Sequence, residues 1–182
     1  MSVSRGASVA LTIALAACGG SQPATAQNIP RSQLGTVSQS LAGTRVEVAY
    51  RRPVARGRIL FGALVPWGRV WSPGSDSVAR LSLSGPVELN GARVPAGSYG
   101  IWMIPDSVSW TVIISAKADA FHLRYPESQD VVRVTTAPQR GEHVETMLFV
   151  FPAVDADSAT LQFRWGTTVV PLRVKAVRDS TR

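Results

Sequence analysis

From Thr36 onward the chain alternates apolar and polar residues in short runs. In "TRVEVAY", Val46, Val48 and Tyr50 alternate with Arg45, Glu47 and Arg51. That period of two gives a strand with one buried and one wet face. "VARLSLSG" obeys the same rule, with Ala79, Leu81 and Leu83 against Arg80, Ser82 and Ser84. Further strand-like runs are "TVSQSL", "VELNGARV", "SYGIWMIP", "SWTVIIS", "DVVRVTT", "HVETMLFVF", "ATLQFRW" and "VVPLRV". Turn residues separate them: Ala42-Gly43, Asn90-Gly91, Pro95-Ala96-Gly97, Asp155 to Ser158, and Gly166-Thr167-Thr168. No long segment carries a helical period with caps. The pattern predicts an all-β fold with little helix. About nine or ten strands would form an antiparallel β-sandwich, jelly-roll-like or related.

Two stretches break the rhythm. Residues 51–77 are rich in Gly, Pro and Arg around Ile59, Leu60, Phe61 and Leu64. They predict a long ordered loop that could hold one helical turn. Residues 116–129 form a second excursion. Long loops in a compact domain commonly carry function.

The glycines of "NGARVPAGSYGIW" (residues 90–102) raise the question of a phosphate-cradling loop. No helix follows whose N-terminus would meet the phosphate. The stretch instead reads as two turns joining core strands.

Before Thr36 the chain is different. Arg5 precedes an apolar, small-residue run at 7–18, too short to span a bilayer as a helix. Cys18 is the sole cysteine and ends "LAAC", which resembles a bacterial lipobox. The resemblance implies lipidation at Cys18, whose thiolate would take up the diacylglyceryl group. Residues 1–17 are then a lipoprotein signal peptide and 18–34 a flexible tether. The sandwich domain covers 35–175, and 176–182 form a C-terminal tail. Gly19, not Asp, follows the cysteine, so the resemblance favours the outer membrane, facing the periplasm or the cell surface. The alternative is cleavage after Ala26 and a soluble periplasmic or secreted protein. Either way the mature domain has no disulfide and depends on its core.

The formal charge is +7, almost all of the positive charge arginine. Export argues against nucleic acid as the counterpart and for anionic lipid or polysaccharide. Ordinary solvated arginine is the simpler account of the charge and is favoured over a specific counterpart.

Several segments together, "YRRPVARGRILFGALVPWGRVW", "LNGARVPAGSYGIWMIP", "SWTVIIS", "DVVRV" and "RWGTTVVPLRV", resemble the DUF2911 family. These are exported bacterial domains of unassigned function. The resemblance spans about residues 33–174 and implies no activity. One departure stands out. After the Trp matching Trp71 the family usually reads Arg-Thr-Gly-Ala-Asn-Glu-Ala. Here the residues are Ser72-Pro73-Gly74-Ser75-Asp76-Ser77-Val78.

Signatures of chemistry are sparse. The histidines are His122 and His143, without an H-E-x-x-H or paired-cysteine motif. His143 and Glu145 would share one strand face and form a weak metal candidate against an ordinary wet edge. There is no G-x-S-x-G elbow, and Asp155 and Asp157 read as turn residues. No catalytic residue, cofactor or metal is assigned.

The richest constellation lies in the first excursion: Arg51, Arg52, Arg56, Arg58 and Arg69 with Trp67, Trp71 and Asp76. Arginine's planar fork suits carboxylate or phosphate, and tryptophan offers a flat face to a sugar ring or a cation. Arg52, Arg56, Arg58, Arg69, Trp71 and Asp76 are the ligand-binding candidates. The competing reading is structural: arginines pinning the loop and tryptophans plugging the sandwich. The expected function is an exported, lipid-anchored envelope module that binds or supports. Its partners would be the membrane and an anionic glycan, a lipid headgroup or an envelope protein. The alternative is an envelope hydrolase or isomerase with its site on the 51–77 or 116–129 loops.

Overall fold

A computed structural model describes residues 32–177. The expected signal peptide, Cys18, the alternative cleavage after Ala26 and the last five residues lie outside the described residues.

Ten strands form two antiparallel sheets. In chain order they are β1 (Gln33–Leu41), β2 (Thr44–Arg52), β3 (Ala79–Leu83), β4 (Val87–Leu89), β5 (Ala92–Val94), β6 (Gly97–Ile104), β7 (Trp110–Ser115), β8 (Asp130–Thr136), β9 (Gln139–Val154) and β10 (Ser158–Ala176). The larger sheet runs β1-β2-β3-β6-β7-β8 and the smaller β5-β4-β10-β9. The only helix among the described residues is a 3₁₀ turn at Glu127–Gln129. It falls in the second excursion; the first holds none.

Alternation places the core between the sheets. Val46, Val48, Tyr50, Leu81, Ile101, Met103, Val112 and Ile114 face it from one side. Met147, Phe149, Leu161, Phe163, Trp165, Val170, Leu172 and Val174 face it from the other. The tight hairpins follow from turn chemistry. Ala42-Gly43 and Asn90-Gly91 both adopt positive φ, as the two-residue turn requires.

Gly166-Thr167-Thr168 does not separate two strands. β10 runs through it as one 19-residue strand. Its pairing with β9 shifts on both sides of Gly166, whose φ is 58°. The bulge switches the buried positions from odd (Ala159, Leu161, Phe163, Trp165) to even (Val170, Leu172, Val174, Ala176). A phase change of this kind looks like a strand break in the hydrophobic pattern.

A second, smaller core lies apart from this one. Val78, Trp102, Ile113 and Ala120 bury there, with Ile104 and Tyr125 against them. β6 is consequently buried on both faces. Gly100 admits this cover: a Cβ there would lie 2.6 Å from the Lys117 carbonyl oxygen. The second excursion is thus folded back against the larger sheet.

The pairings Gln33↔Arg52, Ala79↔Ile101, Ile104↔Thr111 and Trp110↔Thr136 put these residues at one end of the larger sheet. The 53–78 segment leaves and re-enters the sheet at this end, called here the loop end. The β1–β2 and β9–β10 turns meet at the far end, where the Ala42 N–H donates to the Ala156 carbonyl.

Candidate functional site

The loop end is ordered by backbone contacts to the smaller sheet. Val54 bridges Thr146, the Ala55 N–H donates to the Glu145 carbonyl, and Met147 N–H donates to the Pro53 carbonyl. Farther on, buried Leu60 sits against Gly166; a Cβ on that glycine would lie 2.9 Å from a Leu60 methyl. The bulge in β10 therefore makes the notch that receives the loop. Trp71 then bridges Met103 of β6 in both directions, returning the chain to the sheet.

Phe61 is the hub of an aromatic cluster. Its ring lies 4.8 Å from Trp110, 6.1 Å from Trp67 and 6.1 Å from Trp71. Trp71 stacks on Trp165 at 6.2 Å with 9° between the planes. The Trp165 indole N–H is buried without a hydrogen-bond partner. Trp67 lies at the edge of this cluster and is 47% exposed.

Two shallow clefts flank Trp67. One, of about 330 Å³, is lined by Arg58, Leu60, Phe61, His143, Trp165 and the Gly166–Thr168 segment. The other, of about 250 Å³, is lined by Asp106, Ser107, Trp110, Pro138, Gln139 and Arg140. Trp67, Thr167 and Thr168 belong to both. One exposed aromatic face thus stands between two polar-edged depressions.

The arginines divide by role. Arg58 donates from Nε to the Ala55 carbonyl at 2.8 Å and from Nη2 to the Val54 carbonyl at 2.6 Å. Guanidinium carries five N–H donors, so pinning the loop leaves donors on a group that also lines the cleft. Arg56, at φ 53°, donates its backbone N–H to Glu145 Oε1 at 2.6 Å. Arg52 reaches across to the Met147 carbonyl and Arg51 to the Ser32 carbonyl, both at 3.4 Å. Arg69 is exposed, next to Gly68, whose N–H donates to the Pro105 carbonyl. Trp71 is half-buried in the aromatic cluster. Asp76 is exposed in the 72–78 segment with φ 69°, a left-handed conformation that Asp and Asn tolerate. The structure therefore joins Arg58 with Trp67 in one cleft; Arg52, Arg56, Arg69, Trp71 and Asp76 are not part of that cleft's lining.

His143 and Glu145 do share a face: Nε2 and Oε2 are 3.0 Å apart on the exposed edge of β9. The hydrogen bond from His143, then the Arg56 N–H, holds the Glu145 carboxyl below its usual range. Both carboxylate oxygens are thereby engaged in the fold. Among the described residues no three or more His, Cys, Asp and Glu side chains gather as a metal site would require.

In the second excursion the Tyr125 hydroxyl donates to Asp130 at 2.6 Å, and Arg133 Nε donates to Asp130 at 2.7 Å. His122 packs edge-on against Phe121, with Nδ1 buried and unpartnered. Two positions of the 72–78 segment explain its shape. Gly74 approaches the Ser77 carbonyl closely, where a Cβ would lie 3.0 Å away, and Asp76 takes the left-handed turn.

Arg140, Asp106, Gln139, Thr167 and Thr168 were not marked by any motif. They reach the clefts from the β6–β7 turn, the start of β9 and the bulge of β10, which only the folded topology brings together.

The fold and site define an all-β, two-sheet domain with clefts at its loop end. The chain belongs to the DUF2911 family, described as a protein of unknown function, whose model matches residues 32–174. No curated protein and no solved structure matches the chain.

Proposed function

We propose that this is an exported, lipid-anchored envelope protein whose sandwich is a binding module, with the loop end as its binding face. The observation that carries the reading is Trp67: a half-exposed indole between two clefts edged by Arg58 and Arg140. An aromatic face beside guanidinium groups suits an anionic envelope component, a glycan or a lipid headgroup. The "LAAC" sequence supports the anchor on Cys18, and Gly19 supports the outer membrane.

Trp67 also supplies the test. Of the chain's five tryptophans, Trp102, Trp110 and Trp165 are buried and Trp71 is half-buried. Trp67 therefore dominates the red edge of the emission. The Cys18→Ser full chain is titrated with anionic vesicles and with an anionic polysaccharide. One of them is expected to blue-shift that edge, and Trp67→Leu to weaken binding at least about tenfold, the loss of one good contact. Equal binding by both proteins rejects the binding face. Turnover of an ester, glycoside or peptide panel, abolished by His122→Ala or His143→Ala, replaces the module with an enzyme.

A further inference from the structure

Phe121, Leu123, Val131 and Val154 are exposed elsewhere, but most of the exposed large apolar side chains stand at the loop end. Large apolar side chains project from it into solvent: Leu34 at 63% exposure, Ile59 and Val108 at 74%, with Leu64, Trp67 and Val70. They come from β1, the 53–70 loop and the β6–β7 turn, segments that the strand pairings bring to the same end. Ile59 and Leu64 flank a tight turn in which the Leu64 N–H donates to the Ile59 carbonyl. Gly68 ties this loop to the β6–β7 turn through the Pro105 carbonyl. The apolar groups therefore stand on an ordered platform. Exposed apolar side chains gathered at one end suit contact with a partner or a membrane.

The polar groups among them are unequal in freedom. Arg56, Arg58, Arg69 and Arg140 are exposed. Of the nearby acids, Glu145 is engaged by His143 and the Arg56 N–H. Asp106 accepts from the Val108 and Ser109 N–H groups of its own turn. At the far end the β9–β10 turn carries Asp155 and Asp157. The loop end thus joins exposed arginines with apolar tips, while at the far end Asp157 is paired with Lys175 at 4.0 Å.

The chain's path adds a third, independent observation. Gln33 pairs with Arg52, so the N-terminal segment enters the domain at the loop end. From Cys18 to Ser32 is roughly 14 residues, which reach at most about 50 Å when extended. An anchor on Cys18 would attach the domain at the loop end and tether that end within about 50 Å of the bilayer.

We propose that the loop end docks on the anionic lipid bilayer in which the chain is anchored, with Ile59, Leu64, Trp67, Val70 and Val108 entering the interfacial layer and the arginines meeting the headgroups. Tryptophan favours this depth because its ring is apolar and its N–H polar. Arginine adds attraction to anionic lipid that weakens with salt. The proposal rests on the lipid-anchor reading and deepens it: the module lies against its own membrane and does not hang free on the tether.

The test uses the full chain, exported and processed as in its host, with an environment-sensitive fluorophore on one added cysteine. Ile59→Cys marks the loop end, and Ala156→Cys marks the far end. The protein is reconstituted in vesicles of phosphatidylcholine with phosphatidylglycerol. Docking predicts a blue shift at position 59, quenching there by a lipid-borne nitroxide, and neither effect at 156. High salt is expected to reduce the signal at 59. Membrane-bound protein whose position 59 stays as wet as 156 overturns docking while leaving the anchor intact. Protein that never enters the membrane fraction instead fails the anchor reading. A shift at 59 that needs no vesicles and grows with protein concentration assigns the face to a second copy, and a shift caused by soluble anionic polysaccharide alone assigns it to a glycan; either overturns the bilayer.

Discussion

Tyr50 of β2 ties the two sheets together through Phe149 of β9. Its hydroxyl oxygen accepts the Phe149 backbone N–H at 2.9 Å, and the rings meet edge-on with centroids 4.9 Å apart. Both residues are buried. The hydroxyl satisfies a main-chain donor inside the sandwich, just below the point where the 53–78 segment leaves β2.

Tyr50→Phe keeps the ring contact and removes the acceptor. A buried N–H left without a partner costs about 1–3 kcal/mol. At about 2–4 °C per kcal/mol for a chain of this size, thermal unfolding is expected to fall by several degrees. An unchanged melting temperature would mean that the Phe149 N–H finds another acceptor.

Gly166 controls the seat of the first excursion. At φ 58° a Cβ is strained, and it would also press on Leu60. Left-handed backbone costs a non-glycine residue about 1–2 kcal/mol. Gly166→Ala is therefore expected to lower the melting temperature and to speed amide exchange across 53–65, because Leu60 can no longer enter its notch. Adding Leu60→Val should restore part of the slow exchange. If Gly166→Ala leaves exchange in the loop unaltered, the bulge does not hold it.

Tyr125 should titrate late. Burial first, and then the hydrogen bond to Asp130, push its phenol up to about 12. Because the folded value is raised, the neutral phenol's contribution to stability is whole below about pH 10 and is lost as pH rises through about 12. Ultraviolet titration of phenolate should show this late step. Asp130→Asn should move it down without restoring the ordinary value, since burial remains. A Tyr125 step near pH 10 in the wild type would mean that the second excursion is open to solvent.

The sandwich was legible because most strands bury one face and obey a period of two. Ala42-Gly43 and Asn90-Gly91 were legible because their turn type needs positive φ at both residues. β10 was harder: its bulge changes the phase of burial, so "RWGTTVV" looks like two strands. Trp102 shows a second limit, since β6 is buried on both faces and a doubly buried strand loses its alternation. The site was legible only in part. Arg58 and Trp67 stand in one dense, unusual segment and draw notice together. Arg140, Asp106 and Thr168 join them through pairings between distant strands, for which local pattern has no signal. The pinning role of Arg58 was equally hidden, because a guanidinium bound to Val54 and Ala55 carbonyls has the same sequence as one that awaits a ligand.

The anchor underlies both the envelope assignment and the docking of the loop end. Intact-mass and N-terminal analysis of the processed protein from its host tests it most directly. An N-terminal Cys18 carrying a diacylglyceryl group and an acylated amine is the predicted result, with Cys18→Ser lost from the membrane fraction. A soluble chain beginning at Gln27, with no lipid mass, would contradict it.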